Sequence, residues 1–346
     1  MKTGKISENV LKRSVLRLIK ECRKEVIKGA EVGGDCAFLS WKTDNRELTA
    51  LSTQTITLPV RIAPYLAVAA AVNNLAAAGS ETVAVTLSLT LPAEAAEEDL
   101  KNIMEQTVRC CDDLQVQIAG GHTEISPLVE APVITVTAVG TVLDGQAHRM
   151  GRNARTEGIS RDMDLVLSKW IGLEGTAILA YEKEEELLKR YPKSLVVKAK
   201  EFKDLISVAP EAAIALRSGV YAMHDVRNGG IFGALWELSQ KIGAGLSVCL
   251  KEIPIKQETI EICEYYDLNP YELLSGGCLL MAAENGPKLV EALDAAGICA
   301  FVIGRTNGTN DKIVHSGDEI RYLTMPAADE IWKVPFGRWK LLAEGK

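Results

Sequence analysis

Gly33-Gly34-Asp35-Cys36-Ala37, Ser52-Thr53-Gln54-Thr55-Ile56-Thr57, Asn73-Asn74-Leu75-Ala76-Ala77-Ala78-Gly79 and Gly120-Gly121-His122-Thr123-Glu124 are the four short stretches on which the reading of this chain turns. The apolar pattern between them predicts the first half of the fold. Residues 36–41 and 48–53 read as strands, and Pro64 opens an alanine-rich helix that runs to residue 78, where Gly79 stops it. Residues 83–91 alternate as a β-branched strand closed by Pro92. Residues 94–113 form a helix whose acidic first turn suits the helix dipole. Residues 115–119 and 133–142 complete a strand–helix–strand–helix–strand–strand unit, with residues 120–124 as a loop at a strand end. Upstream, residues 10–28 have the spacing of an amphipathic helix.

Past this unit, residues 144–160 turn to Gly, Arg and Asn and read as a connector. The boundary is placed there, giving domains at 1–150 and 151–346. The second half predicts strands at 163–168, 221–224, 246–250, 279–283 and 300–306. Helices are predicted at 173–181, across 184–202, from Ile231 and at 286–296. The expected fold class is α+β: two domains, each a largely antiparallel mixed sheet with helices on one side.

With 346 residues and 47% hydrophobic content, the chain has enough apolar material for two cores. A formal net charge of −7 argues against a nucleic-acid partner, which calls for a basic face. No uncharged apolar run reaches the ~18 residues of a membrane span, and residues 1–28 carry charges throughout rather than a secretory core. The expectation is a cytoplasmic protein without membrane contact. Its eight cysteines are scattered with no Cys-x-x-Cys pair, so they read as buried thiols rather than metal ligands, Cys36 beside Asp35 excepted.

Singly, each motif is open to two readings. Gly33-Gly34-Asp35 is an ordinary turn or a ligand loop. His122 is a structural histidine or a ligand contact. Asn74, an amide in mid-helix, needs a partner if buried. In the second half, Asp225 followed by Asn228-Gly229-Gly230 ahead of a helix is either a capped strand–helix turn or an anion site using free helix N–H groups. Lys169-Trp170-Ile171-Gly172-Leu173-Glu174-Gly175-Thr176 likewise contacts a ligand or merely turns the chain.

In this order, the motifs resemble the aminoimidazole ribonucleotide synthetase superfamily, which includes selenophosphate synthetase, thiamine monophosphate kinase and hydrogenase maturation factors. The resemblance spans residues 10–321 and is nearest to the hydrogenase-maturation-factor-like proteins. It implies an N-terminal domain whose sheet pairs with a second copy as a barrel, hence a homodimer. It also implies ATP in a cleft between the domains, with magnesium bridging its phosphates to carboxylates. Carried over position by position, it makes Asp35, His122 and Glu124 the candidates for catalysis, with Asp35 and Glu124 the candidate metal ligands. The implied nucleotide contacts in the first domain are Gly33, Gly34, Thr53, Gln54, Asn74, Gly120, Gly121 and Thr123. Those in the second are Lys169, Asp225, Asn228, Gly229 and Gly230.

The chain departs from the family pattern where the metal is expected. Gln54 and Asn74 stand where relatives carry aspartates, so magnesium is expected to bind weakly or not at all. Relatives that dehydrate a carbamoyl group end in a tail with a terminal cysteine; here the last cysteine is Cys299, and that tail chemistry is not expected. Three readings follow. One is an enzyme that binds ATP or another phosphate ligand between the domains and phosphorylates an amide-type oxygen of an unknown small-molecule or protein substrate. The second is a catalytically degenerate homodimer kept as a nucleotide sensor or scaffold. The third is a cleft whose glycine-rich loops bind an unrelated small anion.

Overall fold

A computed structural model describes residues 8–19, 23–41, 47–143, 145, 162–324 and 328–337. Its strands are β1 Val26–Lys28, β2 Ala37–Leu39, β3 Glu47–Ile56, β4 Glu81–Pro92, β5 Gln117–Ser126, β6 Val133–Leu143, β7 Asp164–Ser168, β8 Val220–Val226, β9 Gly245–Cys249, β10 Cys278–Ala283, β11 Ala300–Asn307, β12 Lys312–Ser316 and β13 Glu319–Tyr322. Its helices are α1 Glu8–Ser14, α2 Ala63–Ala77, α3 Glu97–Asp113, α4 Leu173–Glu182, α5 Lys193–Glu201, α6 Ala209–Arg217, α7 Gly230–Ile242, α8 Gln257–Tyr265 and α9 Gly286–Asp294, with single turns between some of them. Among the described residues no helix is long and apolar enough to cross a membrane. The connector predicted at 144–160 falls almost wholly outside the described residues.

The first sheet has the order β1-β2-β3-β6-β4-β5 and is antiparallel except for the β4–β5 pair. Its two-residue period sorts the faces. Leu48, Ala50, Ile134, Val136 and Ala138 are buried towards α2. The other face carries threonines: Thr53 opposite Thr137 and Thr55 opposite Thr135, with hydroxyls 2.9 and 3.0 Å apart.

Two expectations fail here. Residues 10–28 do not form one helix; α1 stops at Ser14, a 3-10 turn follows at Leu16–Leu18, and Val26–Lys28 pairs with β2 instead. No residue of α1 is buried, so its apolar spacing has no core to lengthen it, while the β-branched Val26-Ile27 finds a strand partner. The predicted loop at 120–124 is strand, because β5 runs straight through it. Gly121 serves close approach rather than a turn: a Cβ on it would stand 2.0 Å from the Leu87 carbonyl oxygen of β4.

The second sheet has the order β13-β12-β9-β11-β7-β10-β8 and is antiparallel except for β9–β12. It is covered on both faces, not on one as the sequence suggested. Ile231, Leu235 and Leu238 of α7 pack on Leu165, Leu167 and Leu280. On the opposite face, Ala212 of α6 and Leu289 and Leu293 of α9 pack on Val166, Met223, Leu279 and Met281. The reason lies in β7 and β10, which are buried at every position and so present apolar side chains to both sides. Helices α6 and α8 and strands β1, β12 and β13 were not anticipated.

Helix α2 joins the two halves. Every residue in it except Asn74 is buried, and Ala76 and Ala77 reach the core under the second sheet. Asn73 is the polar hinge of that contact: its Nδ2 donates to the Ile206 carbonyl at 2.8 Å and its Oδ1 accepts the Val208 N–H at 3.0 Å. A buried amide satisfied at both ends fixes register between domains at little cost.

Candidate functional site

A cavity of about 480 Å³ lies where the domains meet. The first domain contributes Gly33 to Ala37, Ser52, Thr53, Gln54 and Asn74, and the second contributes His224, Asp225, Arg227, Asn228, Gly229 and Glu237. Glu8, Leu11, Val15 and Leu16 line it from the N-terminal segment, and Asp329 and Trp332 from near the other end of the chain. Four motifs that are ambiguous apart therefore share one wall.

Gly33 is what lets the first loop reach the second domain. Its φ is +72°, and a Cβ there would sit 2.8 Å from the Glu237 carbonyl oxygen on α7. Two residues on, the Asp35 carboxylate enters α7's surroundings. Its Oδ1 lies 2.7 Å from His224 Nδ1 and its Oδ2 lies 2.7 Å from Lys241 Nζ, with all three side chains nearly sealed from solvent. Lys241 Nζ also donates to the Met223 carbonyl at 2.8 Å, and His224 Nε2 lies 3.0 Å from Glu237 Oε2.

This geometry sets the charge states. A neutral imidazole has one N–H, so a carboxylate on each ring nitrogen favours the doubly protonated cation. Burial opposes that cation, but Asp35 and Glu237 outweigh it and push the His224 pKa up to about 9. Burial also works against Asp35, yet His224 and Lys241 hold its carboxyl well below the usual carboxylate range. Cys36, beside it, is pushed up to about 12, first by burial and then by the Asp35 charge, and stays a thiol.

Asp225 is the opposite case. It is buried at the cavity wall, and neither carboxylate oxygen has a hydrogen-bond partner among the described residues. Burial pushes its pKa up to about 7; Arg227 and His224 pull it down, and Glu174 and Asp35 push it further up. Arg227 is held by a two-pronged pair with Glu174, at 3.1 and 2.8 Å. At the N-terminus of α7 one N–H is already taken, because Asp329 Oδ2 accepts the Gly229 N–H at 2.7 Å.

The residues singled out by sequence divide into two groups. Gly33, Gly34, Asp35, Thr53, Gln54, Asn74, Asp225, Asn228 and Gly229 line the cavity. Gly230 follows as the first residue of α7. Gly120, Gly121, His122, Thr123 and Glu124 lie elsewhere, on β5 at the sheet edge. His122 and Glu124 are exposed there, 3.6 Å apart, and Glu124 also accepts from Thr90 at 3.4 Å. Lys169 is buried and spends its ammonium on the Leu205 and Ser207 carbonyls and on Glu211, at 2.8, 2.6 and 2.6 Å.

Sequence reasoning missed Lys241, Glu237 and Asp329. Glu237 and Lys241 are four apart on α7, a spacing at which opposite charges pair with each other on an exposed helix face; instead one turns to His224 and the other to Asp35. A lysine in line with the apolar face of α7, beside Leu238 and Ile242, was the available signal.

The magnesium implied by the resemblance finds a poor donor set. Asp35 has a cation on each oxygen, Gln54 and Asn74 offer amides, and Glu124 is not at the cavity. Asn74 gives its Nδ2 hydrogen to Ser52 Oγ at 2.9 Å. Among the described residues no three His, Cys, Asp or Glu side chains group as a metal site. These residues do not fit a carboxylate-held magnesium.

Comparison with known proteins agrees with the fold. The family described as AIR synthase related protein matches with its N-terminal domain over residues 33–142 and its C-terminal domain over residues 162–316. A putative hydrogenase expression/formation protein of Methanocaldococcus jannaschii is 28% identical over 274 residues, covering 78% of each chain. The carbamoyl dehydratase HypE of Rhodobacter capsulatus is 24% identical over 251 residues, covering 72% of this chain and 68% of its own. The crystal structure of the hydrogenase maturation protein HypE in complex with ATP superposes with a TM-score of 0.68 at 18% identity, over 95% of this chain and 97% of that one. The chain belongs to the AIR synthase related protein family, with hydrogenase maturation proteins of the HypE type among its relatives.

Proposed function

We propose that this chain binds ATP in the cavity between its domains and uses it to phosphorylate an amide-type oxygen. The observation that carries the reading is the convergence of the Gly33–Asp35 loop, the end of β3, Asn74 and the Asp225–Gly229 loop on one cavity of about 480 Å³, a size typical of small-molecule sites. A protein of the same fold has been solved with ATP, and a relative is named for removing water from a carbamoyl group, which supports the same chemistry here. Those relatives support an active enzyme rather than a nucleotide-sensing scaffold.

An amide oxygen is a poor leaving group, and phosphorylation makes it a good one. The oxygen attacks the terminal phosphorus, the bond to the ADP oxygen breaks, and the amide nitrogen yields a proton. Asp225 is the group suited to receive it: a carboxyl at the cavity wall, free of hydrogen bonds, with a pKa near neutrality. Arg227, fixed by Glu174, supplies positive charge beside it.

The open threonine face of the first sheet supports a homodimer through the N-terminal domain. Val83, Ile125 and Leu128 are exposed in that domain, and β5 forms the sheet's free edge. His122, Thr123 and Glu124 lie outside their own chain's cavity, so any role they have in a site runs through a second copy.

Calorimetric titration with ATP tests the reading. Micromolar binding is expected, and the absence of binding up to millimolar ATP overturns it.

A further inference from the structure

The donors at the cavity disagree with a magnesium-dependent site, and the disagreement has a structural counterpart in the second domain. We propose that Lys241 and His224 replace the divalent cation, balancing the charge of the Asp35 carboxylate so that a nucleotide enters this cavity without magnesium. The inference rests on the ATP reading for its ligand, but its central claim concerns Asp35 and stands on geometry alone.

Each Asp35 oxygen has its own cationic partner at 2.7 Å, and neither partner is loosely held. Lys241 is pinned a second time by the Met223 carbonyl, and His224 by Glu237. With the three side chains 4%, 7% and 3% exposed, both carboxylate oxygens are already engaged by buried cations, which a metal arriving from the cavity would have to displace. Two positions that would strengthen a metal, Gln54 and Asn74, carry amides on the same wall. The replacements are consistent with one another: amides stand at two first-domain positions beside Asp35, and a buried ammonium is present where the Asp35 carboxylate needs a counter-charge. Lys241 is not part of the cavity lining, so it acts through Asp35 and is a positioning residue.

The test uses Mn²⁺, read by its electron spin resonance, on the full chain without nucleotide, together with calorimetry of ATP in EDTA and in magnesium. Wild type is expected to bind Mn²⁺ no tighter than millimolar, and ATP equally well in both buffers. Lys241→Met, which frees one Asp35 oxygen, is expected to gain at least about tenfold in Mn²⁺ affinity. Adding Asp35→Asn should abolish that gain, and Lys241→Arg should behave as wild type. Should Lys241→Met fail to fold, Lys241→Gln removes the charge while keeping a donor and carries the same test. Micromolar Mn²⁺ binding by wild type overturns the proposal, as does a folded Lys241 variant with no gain. Mn²⁺ binding by wild type that is lost in Asp225→Asn overturns it too, by showing a metal held elsewhere on the wall. A chain that binds no ATP but passes the Mn²⁺ arm fails the ATP reading while leaving the role of Lys241 standing.

Discussion

The Asp329 carboxyl group accepts the Gly229 N–H at 2.7 Å, so a residue far along the chain holds the residue that opens helix α7. Its other oxygen accepts from Leu274 at 3.2 Å and Ile331 at 3.0 Å. One side chain thereby ties the glycine loop, the stretch before β10 and its own 3-10 turn together. One N–H of the helix terminus that the sequence offers to an external anion is given to an internal carboxyl group, whose pKa burial pushes up to about 7.

Asp329→Ala leaves three buried N–H groups without that acceptor. The expected loss is about 1–3 kcal/mol of unfolding free energy, the usual penalty for stranding buried donors, measured by urea denaturation.

Asp225 makes stability depend on pH. Burial raises its pKa from 3.8 to about 7, with Glu174 and Asp35 adding to the rise and Arg227 and His224 opposing it. A carboxyl raised on folding contributes stability fully below the unfolded value, and loses it as pH climbs through the folded value. Wild type should therefore weaken relative to Asp225→Asn between about pH 4 and pH 7, by at most about 4 kcal/mol for three pKa units. Denaturation of both proteins at pH 4.5 and 8 checks this. In the same variant, ATP binding should persist while turnover falls by at least about a hundredfold.

Gly33→Ala forces a side chain into a left-handed backbone position and towards the Glu237 carbonyl. A cost of about 1–3 kcal/mol is expected, visible as a lower melting temperature. Because the loop carries Asp35 into the second domain, ATP affinity should fall with it.

The threonine face predicts an association state. Light scattering should give about twice the 37.5 kDa of one chain. Thr53→Arg combined with Thr137→Arg places two like charges at a paired position of that face, and should yield a folded monomer.

Much of the architecture was legible because local rules and global packing agree. The alanine-rich stretch from Pro64 is a helix, ending at Ala77, because small residues let both domains pack on it. The five strands predicted in the second half were found while β12 and β13 were missed, and β7 and β10 were read as one-sided although their unbroken apolar runs belong between two helical layers. The glycine pair at 120–121 misled because glycine marks turns and close strand approach equally, and only the distance to Leu87 separates them.

By itself the sequence determined the two-domain α+β fold, the family, and the presence of amides rather than carboxylates at Gln54 and Asn74, since these depend on residue identity and periodicity along the chain. Only the tertiary structure decided what Asp35 faces. Its partners lie 189 and 206 positions away in His224 and Lys241, and no local pattern encodes which charge a folded chain brings against a buried carboxylate. The same holds for Asp329 at Gly229, and for the separation of Glu124 from the cavity: electrostatics act through space, and sequence distance does not measure it.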